Sequence, residues 1–521
     1  MAMTDFTPAE TATAPPHPRT PRLRDWLAPP VPGSALLGWA GPLLVTALAA
    51  LLRFYRLGSP KAVVFDETYY AKDALSLLKF GYEHTTVKDA DKMLIADPHA
   101  NIWTDGGSFV VHPPAGKWMI AIGEQLFGAT PFGWRFMPAL CGTLAVLILA
   151  RVVRRMTGST LLGCAAGLLL ALDGLSFVTG RAALLDVFVM FWILAGFGCL
   201  VVDRDRARRR LADRIELGDT SPYGPMLLHG WRIAAGVCLG MAVATKWTGV
   251  FYIAAFGLMV VCWDYGARRA AGVREPMAGT LLLDAIPAFL QLVVVSLATY
   301  LVTWSGWIFN AGGWDRGKPS SNPLWRPFEA MPKLWKYHKE MLDFHNGLHD
   351  HHPYQSWPWD WPVLRRPVAF YYTEPSGCGA SKCSSEILGI GTPALWWGAI
   401  LALVVVLGIW LVTRDWRAGS AVLGFSAGWL TWFPSAFDDR TMFLFYATPM
   451  VPFMIIAIVL ALGYLMGPER PTGPRRVIGA AVTGSFVLVV LANFAYFYPI
   501  LSAQVISFDA WHDRIWFKSW I

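Results

Sequence analysis

Two adjacent carboxylates, Asp66 and Glu67, are the residues of this sequence best suited to acid–base chemistry. They follow the first long apolar run and precede a helix-like stretch, so we expect them near a membrane surface. When a sugar is transferred to a hydroxyl group, one positioned carboxylate can accept the proton that the acceptor loses. A phosphate leaving group needs cations instead of the second carboxyl of a glycosidase. Asp66 is therefore the candidate base, with Glu67 orienting the base or the acceptor, although helix N-capping explains the pair equally well.

Charged side chains within apolar runs are a second sign of a functional site, because an ionised group is costly inside a membrane. Arg135, Arg181 and Lys246 are candidates for binding a phosphate group, since arginine makes bidentate contacts and lysine offers a compact charge. Asp186 lies five residues after Arg181, near one membrane edge. A structural ion pair between these two residues, or a helix-end arrangement, is the alternative interpretation. Lys246 is the hardest of the three bases to explain in that way.

The stretch from residue 338 to residue 357 is rich in histidine and aromatic side chains. His345 and His349 have the i, i+4 spacing of some metal sites, but no carboxylate completes a known metal signature. We therefore predict no metal site. The run that ends at Trp357 looks more like a surface facing a sugar or a peptide, and a polar interfacial loop is the plainer interpretation. The turn around Arg440, which follows two aspartates, could be a salt-linked turn.

The elements that must position these residues are membrane helices. Of the 521 residues, 55% are apolar and 15% are charged, and the mean hydropathy is +0.41. Eleven apolar runs are each about long enough to cross a hydrocarbon layer of about 30 Å. They cover approximately residues 34–52, 132–153, 159–178, 182–202, 231–247, 248–263, 278–303, 394–413, 418–434, 441–465 and 477–498. The sequence thus predicts an all-α integral membrane protein with about 11 transmembrane helices, and it contains no Walker or dinucleotide-binding signature.

The arginines follow an alternating pattern along the chain. If the N-terminus is cytoplasmic, every short inside loop is basic, in agreement with the positive-inside rule. These arginines are Arg154 and Arg155; the six from Arg204 to Arg214; Arg268, Arg269 and Arg274; Arg414 and Arg417; and Arg470, Arg475 and Arg476. They account for much of the net charge of +8 without nucleic acid. The C-terminus then lies outside, as do two long loops, residues 53–131 and 305–392, which are large enough to enclose a site.

The remaining segments are short. Residues 1–32 are proline-rich and predict a disordered basic tail, which is followed by a membrane domain over residues 33–498 and an extracytoplasmic segment over residues 499–521. Cys378 and Cys383 share a polar stretch on the outside, where a disulfide is allowed, so we expect them to be bonded. The other five cysteines lie in or beside apolar runs, where a thiol behaves as a small hydrophobe.

Several short motifs follow one another in a fixed order over about residues 50–450. They are Asp66-Glu67; His112-Pro113-Pro114-Ala115-Gly116-Lys117; Gly133-Trp134-Arg135; Leu172-Asp173, Arg181 and Leu185-Asp186; Ala244-Thr245-Lys246-Trp247-Thr248-Gly249; and Phe344-His345-Asn346 through His352-Pro353-Tyr354-Gln355-Ser356-Trp357. Each motif is weak alone, but in this order they resemble the bacterial protein O-mannosyltransferases, which have the multi-span GT-C glycosyltransferase fold. Eukaryotic members carry a soluble domain in a large loop, for which residues 305–392 are too short.

The resemblance implies an activity. It is the transfer of mannose from polyprenyl-phosphate mannose to Ser or Thr hydroxyls of unfolded, exported polypeptides. The reaction would be an inverting single displacement at the outer face of the cytoplasmic membrane. No cofactor is expected, and a divalent metal is not favoured. Membrane lipids are expected partners, as is the secretion channel, because the acceptor must arrive extended.

The resemblance also implies roles for individual residues. Asp66 would be the base, assisted by Glu67. Arg135, Arg181 and Lys246 would bind the phosphate of the donor. The residues expected to shape the first loop or line the site are His112, Lys117, Asp186, His345, His352, Tyr354 and Trp357.

Two other functions stay open at this point. One is a GT-C transferase that uses another lipid-linked sugar, such as arabinose. The other is a lipid or sugar transporter, in which intramembrane charges would form a translocation path. The lack of an inverted repeat and the long aromatic outside loops speak against a transporter.

Overall fold

Helices dominate a computed structural model of the chain, which describes residues 23–227, 229–467 and 473–521. In chain order the helices are α1 (Leu23–Leu27), α2 (Ala35–Phe54), α3 (Glu67–Phe80), α4 (Ala90–Ala96), α5 (Ala115–Phe127), α6 (Pro131–Thr157), α7 (Thr160–Ala171), α8 (Gly174–Thr179), α9 (Asp186–Glu216), α10 (Gly230–Val243), α11 (Gly249–Ala270), α12 (Pro276–Thr303), α13 (Ser305–Phe309), α14 (Arg326–Asn346), α15 (Pro393–Thr413), α16 (Trp416–Trp429), α17 (Phe433–Phe437), α18 (Leu444–Met466), α19 (Pro474–Leu501) and α20 (Phe508–His512). The strands are β1 (His84–Thr86), β2 (Trp103–Gly107), β3 (Val368–Thr373), β4 (Cys383–Gly389) and β5 (Ile506–Ser507).

Eight helices of the described chain are long and apolar enough to cross a membrane: α2, α6, α9, α11, α12, α15, α18 and α19. The other three predicted runs coincide with α7, α10 and α16, which have 12, 14 and 14 residues. The helical, multi-pass class is confirmed, while the count of eleven spans stays a prediction. The five short strands, all in the two long loops and the C-terminal segment, were not expected from the sequence.

The helices divide into a buried centre and an outer ring. In their most apolar stretch, α6, α9 and α18 are buried over more than half of their residues, whereas α2, α12 and α19 are buried over less than a quarter. The outer helices expose large aliphatic side chains, such as Leu36, Leu44 and Leu488. A surface of this kind is stable only against lipid, so the outer ring faces the bilayer.

The arginine-rich stretch after residue 202, predicted to be an inside loop, continues α9 as far as Glu216. Its Ala207 and Leu211 are buried there, and α1 packs against this end of α9 through the buried Leu27. Helix α1 therefore orders residues 23–27 of the predicted disordered tail, because an apolar contact holds it. Residues 1–22 of that tail, and Arg470 of the last basic loop, lie outside the described residues.

The two long loops and the C-terminal segment share one face of the molecule. Strands β1 and β2 pair within the first loop, and β5 adds to the β3–β4 hairpin of the second loop through Cys383 and Ser507. The indole of Trp511 donates to Glu386 at 2.6 Å, which holds the C-terminal segment against β4. Residues 502–521 are thus part of the second loop's fold instead of a free segment.

The first and second loops are also in contact. The ring of Phe65 stacks on Phe370 at 5.0 Å, and the rings of His112 and His345 lie 5.3 Å apart. Helix α1 lies at the opposite end of the membrane helices, where Arg24 pairs with Asp213 at 3.6 Å. The molecule therefore has a face built from the loops and a face built from basic helix ends.

Candidate active site

Asp66 is held at the start of α3 by a turn of unusual geometry. The preceding Phe65 has a φ of 47°, which non-glycine residues rarely adopt. Its ring packs against Phe370 at 5.0 Å and Phe445 at 5.6 Å, so aromatic packing maintains the turn. The carboxylate of Asp66 makes no capping hydrogen bond to α3. The capping interpretation therefore does not account for this side chain.

The carboxylate of Asp66 is half-buried and accepts no hydrogen bond from any described residue. Burial raises the pKa of Asp66 to about 6; the charge of Lys246 opposes the shift, and that of Asp186 adds to it. Such a carboxyl group is largely ionised at neutral pH and is a stronger base than an exposed aspartate. Asp66 can therefore accept a proton from a bound hydroxyl group.

Glu67 has the opposite environment, because it is fully buried and its hydrogen-bonding capacity is filled. The guanidinium of Arg135 donates to both carboxylate oxygens at 2.8 Å, through Nε and Nη2. The backbone N–H groups of Val64 and Ala183 donate to the same two oxygens at 3.0 Å each. A carboxylate has about four acceptor positions, and four donors occupy those of Glu67. Glu67 therefore has no free acceptor position for a substrate and anchors the loop that carries Asp66, so its expected role of orienting the base stays a prediction.

Arg135 likewise has no donor left for a phosphate. Besides Glu67, its guanidinium donates to three carbonyl oxygens of the first loop, those of Leu57 at 3.4 Å, Pro60 at 3.0 Å and Ala62 at 2.8 Å. Arginine has five N–H donors, and these contacts use all of them. The expectation that Arg135 binds a donor phosphate is therefore corrected to a structural role beneath Asp66.

Arg181 caps the C-terminal end of α2. Its Nη1 lies within 3.1 Å of the carbonyl oxygens of Leu52, Arg53 and Tyr55, which have no partners within the helix. Of the alternative interpretations, the structure shows the helix-end arrangement and not the ion pair with Asp186, because helix-end carbonyls take up Nη1. The expected phosphate contact of Arg181 stays a prediction.

Lys246 is the partner of Asp186. Its Nζ lies 2.9 and 2.8 Å from the two carboxylate oxygens, and both side chains are buried. The ammonium also lies 5.1 Å from the ring centroid of Tyr446. An ammonium has three N–H donors, and the carboxylate occupies two. Lys246, whose charge acts on Asp66, thus keeps one donor for a ligand, while Asp186 holds it in place.

Arg440 is a site residue that we did not expect from the sequence. Its neighbours Asp438 and Asp439 are exposed, and Arg440 has no carboxylate partner in the described chain. Its Nε donates to the carbonyl oxygen of His345 at 3.0 Å, and its Nη2 lies 3.3 Å from Nδ1 of His345. The sequence feature that could have indicated this role is a single arginine after two aspartates in a turn between two apolar runs.

Two neutral histidines stand beside these cations. Nε2 of His345 lies 2.8 Å from the carbonyl oxygen of Val111, so it carries the proton, and Nδ1 accepts from Arg440. Burial lowers the pKa of His345 to about 4. Burial, followed by the charge of Lys246, lowers the pKa of His112 well below its ordinary value. The two imidazoles are therefore uncharged at neutral pH, which leaves Lys246 and Arg440 to supply positive charge.

Lys117 supports the first loop without reaching the site. Its buried ammonium forms an ion pair with Glu83, lies 3.9 Å from Asp73, and donates to the carbonyl oxygen of His112 at 3.1 Å. These contacts fix the backbone that carries His112. The role of Lys117 in shaping the first loop stays a prediction.

The aromatic stretch of the second loop continues from this group. The ring of His352 lies 5.0 Å from that of Phe443, which in turn contacts Phe65 at 6.2 Å. Nδ1 of His352 accepts the backbone N–H of Tyr354 at 3.1 Å. Trp357 stacks on the partly exposed Trp359 at 5.7 Å. A row of rings formed by Phe443, His352 and Tyr354 therefore leads away from the turn that carries Asp66, and the Trp357–Trp359 pair lies on the same loop.

Cys378 and Cys383 are bonded to each other, with their Cα atoms 5.9 Å apart, at the start of β4. A grouping with metal-ligand geometry lies elsewhere in the described part of the chain. One ligand atom each from His229, Asp264 and Asp284 falls within 4.8 Å of the others, at the basic end of the helices. Arginines already pair with both carboxylates of that group, so we assign no metal to it.

Comparison with solved structures defines the class of protein. The chain superimposes with a TM-score of 0.70 on a structure described as the S. cerevisiae protein O-mannosyltransferase Pmt1-Pmt2 complex bound to the sugar donor. The match covers 96% of this chain and 94% of that chain at 16% sequence identity, so it establishes the fold. The protein therefore has the multi-pass helical membrane fold of the GT-C type.

Sequence comparison identifies the family. Residues 43–303 match the family described as dolichyl-phosphate-mannose-protein mannosyltransferase, and residues 330–520 match the C-terminal four TMM region of protein-O-mannosyltransferase. The polyprenol-phosphate-mannose–protein mannosyltransferase of Mycobacterium tuberculosis is 39% identical, over 94% of this chain and 93% of that protein. Its namesake in Corynebacterium glutamicum is 34% identical over 92% and 93% of the two chains. The chain belongs to this protein mannosyltransferase family.

Proposed function

We propose that this chain transfers mannose from polyprenyl-phosphate mannose to Ser or Thr hydroxyls of exported polypeptides. The observation that carries the proposal is the open carboxylate of Asp66, whose pKa burial raises to about 6, beside Lys246 in the loop face of a family member. The names of the relatives supply the donor and the protein acceptor. Hydroxyl side chains are the protein groups that a single carboxylate base activates for glycosidic bond formation.

The reaction that fits this site is a single displacement. Asp66 accepts the proton of the acceptor hydroxyl while the hydroxyl oxygen bonds to the anomeric carbon of mannose. The bond from that carbon to the phosphate oxygen breaks, and its electron pair leaves with polyprenyl phosphate. A phosphate leaves as an anion without a general acid, so one carboxylate suffices. The anomeric configuration is inverted.

Lys246 and Arg440 are the cations assigned to the leaving phosphate. Lys246 has one uncommitted N–H donor, and Arg440 has a charge that no carboxylate of the described chain neutralises. Charge-assisted hydrogen bonds to phosphate strengthen as the leaving group gains charge, so they lower the barrier to transfer. Lys246 thus keeps the role expected from the sequence, and Arg440 takes the place of Arg135 and Arg181.

The aromatic row is assigned to the acceptor. His352, Tyr354 and Trp357 lie along the second loop, leading away from the turn of Phe65 and Asp66. Aromatic faces bind sugars and extended peptides with little loss of side-chain freedom. An extended acceptor would follow this row, and delivery by the secretion channel would supply it in that form.

The loop face is assigned to the outside of the cytoplasmic membrane, with the N-terminus inside and the C-terminus outside. Arginines at the opposite helix ends support this orientation through the positive-inside rule. A reporter fused after Ile521 should be active only outside the cytoplasm. Cytoplasmic activity of that reporter would reverse the assignment.

Transfer to a defined peptide tests the proposed activity. Purified protein would be incubated with polyprenyl-phosphate mannose and a Ser/Thr peptide, and the product identified by mass spectrometry. We expect one hexose on a hydroxyl residue, none on a matched peptide with Ala at those positions, and a strongly reduced yield with Asp66→Asn protein. Transfer from polyprenyl-phosphate arabinose, and not from the mannose donor, would show that the protein uses a different sugar. Equal activity of Asp66→Asn and the unaltered protein would show that the activity comes from a contaminant or that Asp66 is not the base.

A further inference from the structure

A separate cavity of about 390 Å³ lies between α2, α6, α9 and α10, away from the loop face. Most of its wall is apolar and includes Leu147, Ile148, Val152 and Ala195. Two tryptophans of its lining, Trp39 and Trp231, are 48% and 37% exposed. Indoles at the edge of an apolar cavity are typical of the headgroup level of a bilayer.

The position of this cavity separates it from the active site. Arg135, beneath Asp66, and Arg155, in the cavity wall, lie at opposite ends of α6. The 20 residues between them correspond to about 30 Å of helix, which is the thickness of the hydrocarbon layer. The cavity thus faces the leaflet opposite to Asp66. The sugar-phosphate headgroup of a donor reacting at Asp66 does not reach it.

Three arginines form the polar end of the cavity, and two of them have no counter-charge among the described residues. Arg155 pairs with Asp205 at 2.8 Å. Within residues 23–227, 229–467 and 473–521, neither Arg151 nor Arg154 has a carboxylate partner. Arg151 stacks over Trp39 at 3.8 Å from the ring centroid, and Arg154 donates to the hydroxyl of Thr160 at 2.9 Å. Like charges one turn apart on α6 repel each other unless an anion lies between them.

The backbone is shaped to admit these guanidinium groups. Gly38 of α2 packs directly on Arg154, and a Cβ atom at that position would lie 2.5 Å from its Cζ. The carbonyl oxygen of the same glycine accepts from Arg151. A larger residue at position 38 would displace the charged end of the cavity, so the close approach is part of its construction.

We propose that this cavity binds an anionic phospholipid of the leaflet opposite the active site. The phosphate lies against Arg151 and Arg154, which offer charge-assisted and bidentate hydrogen bonds. An acyl chain fills the apolar wall between α6 and α9, and the two indoles lie at the headgroup level. A basic pocket between membrane helices recognises acidic headgroups in this way, whereas a zwitterionic lipid gains no net charge attraction. The bound lipid joins the outer helix α2 to the buried helices α6 and α9.

Native mass spectrometry of the delipidated full chain tests the proposal, because it counts bound lipids without requiring catalysis. The probes are phosphatidylglycerol and phosphatidylcholine with identical acyl chains. We expect one phosphatidylglycerol molecule to be retained at least about tenfold more strongly than phosphatidylcholine. Arg151→Gln combined with Arg154→Gln should remove that preference. Arg269→Gln, an exposed arginine on the same face, is the control and should preserve it.

A second variant keeps the test independent of the arginines. Ala195→Leu reduces the apolar volume and leaves every charge in place, so it should weaken retention of both lipids. Equal retention of the two lipids by the unaltered protein would overturn the proposal. So would undiminished phosphatidylglycerol binding in both the double variant and Ala195→Leu, since the lipid would then be bound elsewhere.

Discussion

The adjacent carboxylates of Asp66 and Glu67 lie in opposite environments at the start of α3. Glu67 is buried and accepts four hydrogen bonds, two of them from Arg135. Asp66 accepts none from the described chain and shares its surroundings with Lys246 and Asp186. A buried ion pair with every donor and acceptor satisfied can hold a loop but cannot exchange partners during a reaction. The carboxylate of Asp66 has free acceptor positions and can bind a substrate. We therefore infer that Asp66, and not Glu67, reacts.

The same contrast separates the cations. Carbonyl oxygens and Glu67 take every donor of Arg135, and helix-end carbonyls hold Arg181. Lys246 keeps a donor, and Arg440 keeps its net charge. The sequence suggests three phosphate-binding candidates, of which the contacts leave a free donor on Lys246, and the structure adds Arg440. Substitutions can test whether side chains with every hydrogen bond satisfied are structural and those with a free donor or acceptor take part in the reaction.

Asp66→Asn should give the largest effect on activity. The amide preserves the shape of the side chain but cannot accept the hydroxyl proton, so we expect transfer to fall by about 100- to 10,000-fold. Asn is a good N-cap, so the melting temperature in detergent should change little. Initial rates with a Ser/Thr peptide measure the loss. Turnover near that of the unaltered protein would remove Asp66 from the mechanism.

Glu67→Gln should mainly affect stability. The amide leaves the guanidinium of Arg135 buried without a counter-charge, which typically costs about 3–5 kcal/mol. Thermal unfolding in detergent, compared with the exposed Glu374→Gln on the same face, measures the difference. A variant that melts normally but transfers no mannose would show that Glu67 acts in the reaction.

Arg440→Gln should reduce transfer by about 10- to 100-fold, because a hydrogen bond to a charged group contributes about 1.5–3 kcal/mol. The effect should fall on the rate with saturating donor if Arg440 binds the leaving phosphate more strongly in the transition state. Arg365→Gln is the matched control, since that arginine lies in the same loop region and is exposed. Equal rates for the two variants would exclude Arg440 from the site.

Replacing Cys378 and Cys383 with Ser should give the smallest effect. The bridge closes a loop of only a few residues, for which the chain-entropy model gives about 2 kcal/mol. We expect a small fall in melting temperature and unchanged donor dependence. Mass spectrometry of alkylated native membranes should find both thiols blocked in the unaltered protein, and free thiols there would contradict the bridge.

Much of the fold could be predicted from the sequence because membrane helices follow from local composition. The apolar runs, the basic helix ends and the two long loops are visible without tertiary information. The strands are not, since β5 consists of only Ile506 and Ser507 and forms because it pairs with β4. The helical continuation of α9 beyond residue 202 was not predicted for a related reason, because packing against α1 stabilises this charged stretch.

The site could be predicted in part. Asp66 and Lys246 are recognisable from the sequence, because a charged side chain beside or within an apolar run is costly and indicates a function. The role of Arg135 could not be read from the sequence, because its partners are backbone carbonyls and Glu67, which lies 68 residues away. A helix-end position for Arg181 was one of the interpretations that the sequence left open. The site role of Arg440 was not predicted, because the neighbouring Asp438 and Asp439 suggest a local salt bridge. No such salt bridge is formed among the described residues.

The pH dependence of kcat/KM tests most directly whether the open carboxylate of Asp66 is the base. This ratio reports the ionisation of the free enzyme. Since burial raises the pKa of Asp66 to about 6 and the base acts when ionised, activity should rise about tenfold per pH unit below that value and level off above it. The residual rate of Asp66→Asn should not follow this profile. A flat profile for the unaltered protein between about pH 5 and pH 7, or the same midpoint in Asp66→Asn, would contradict the account.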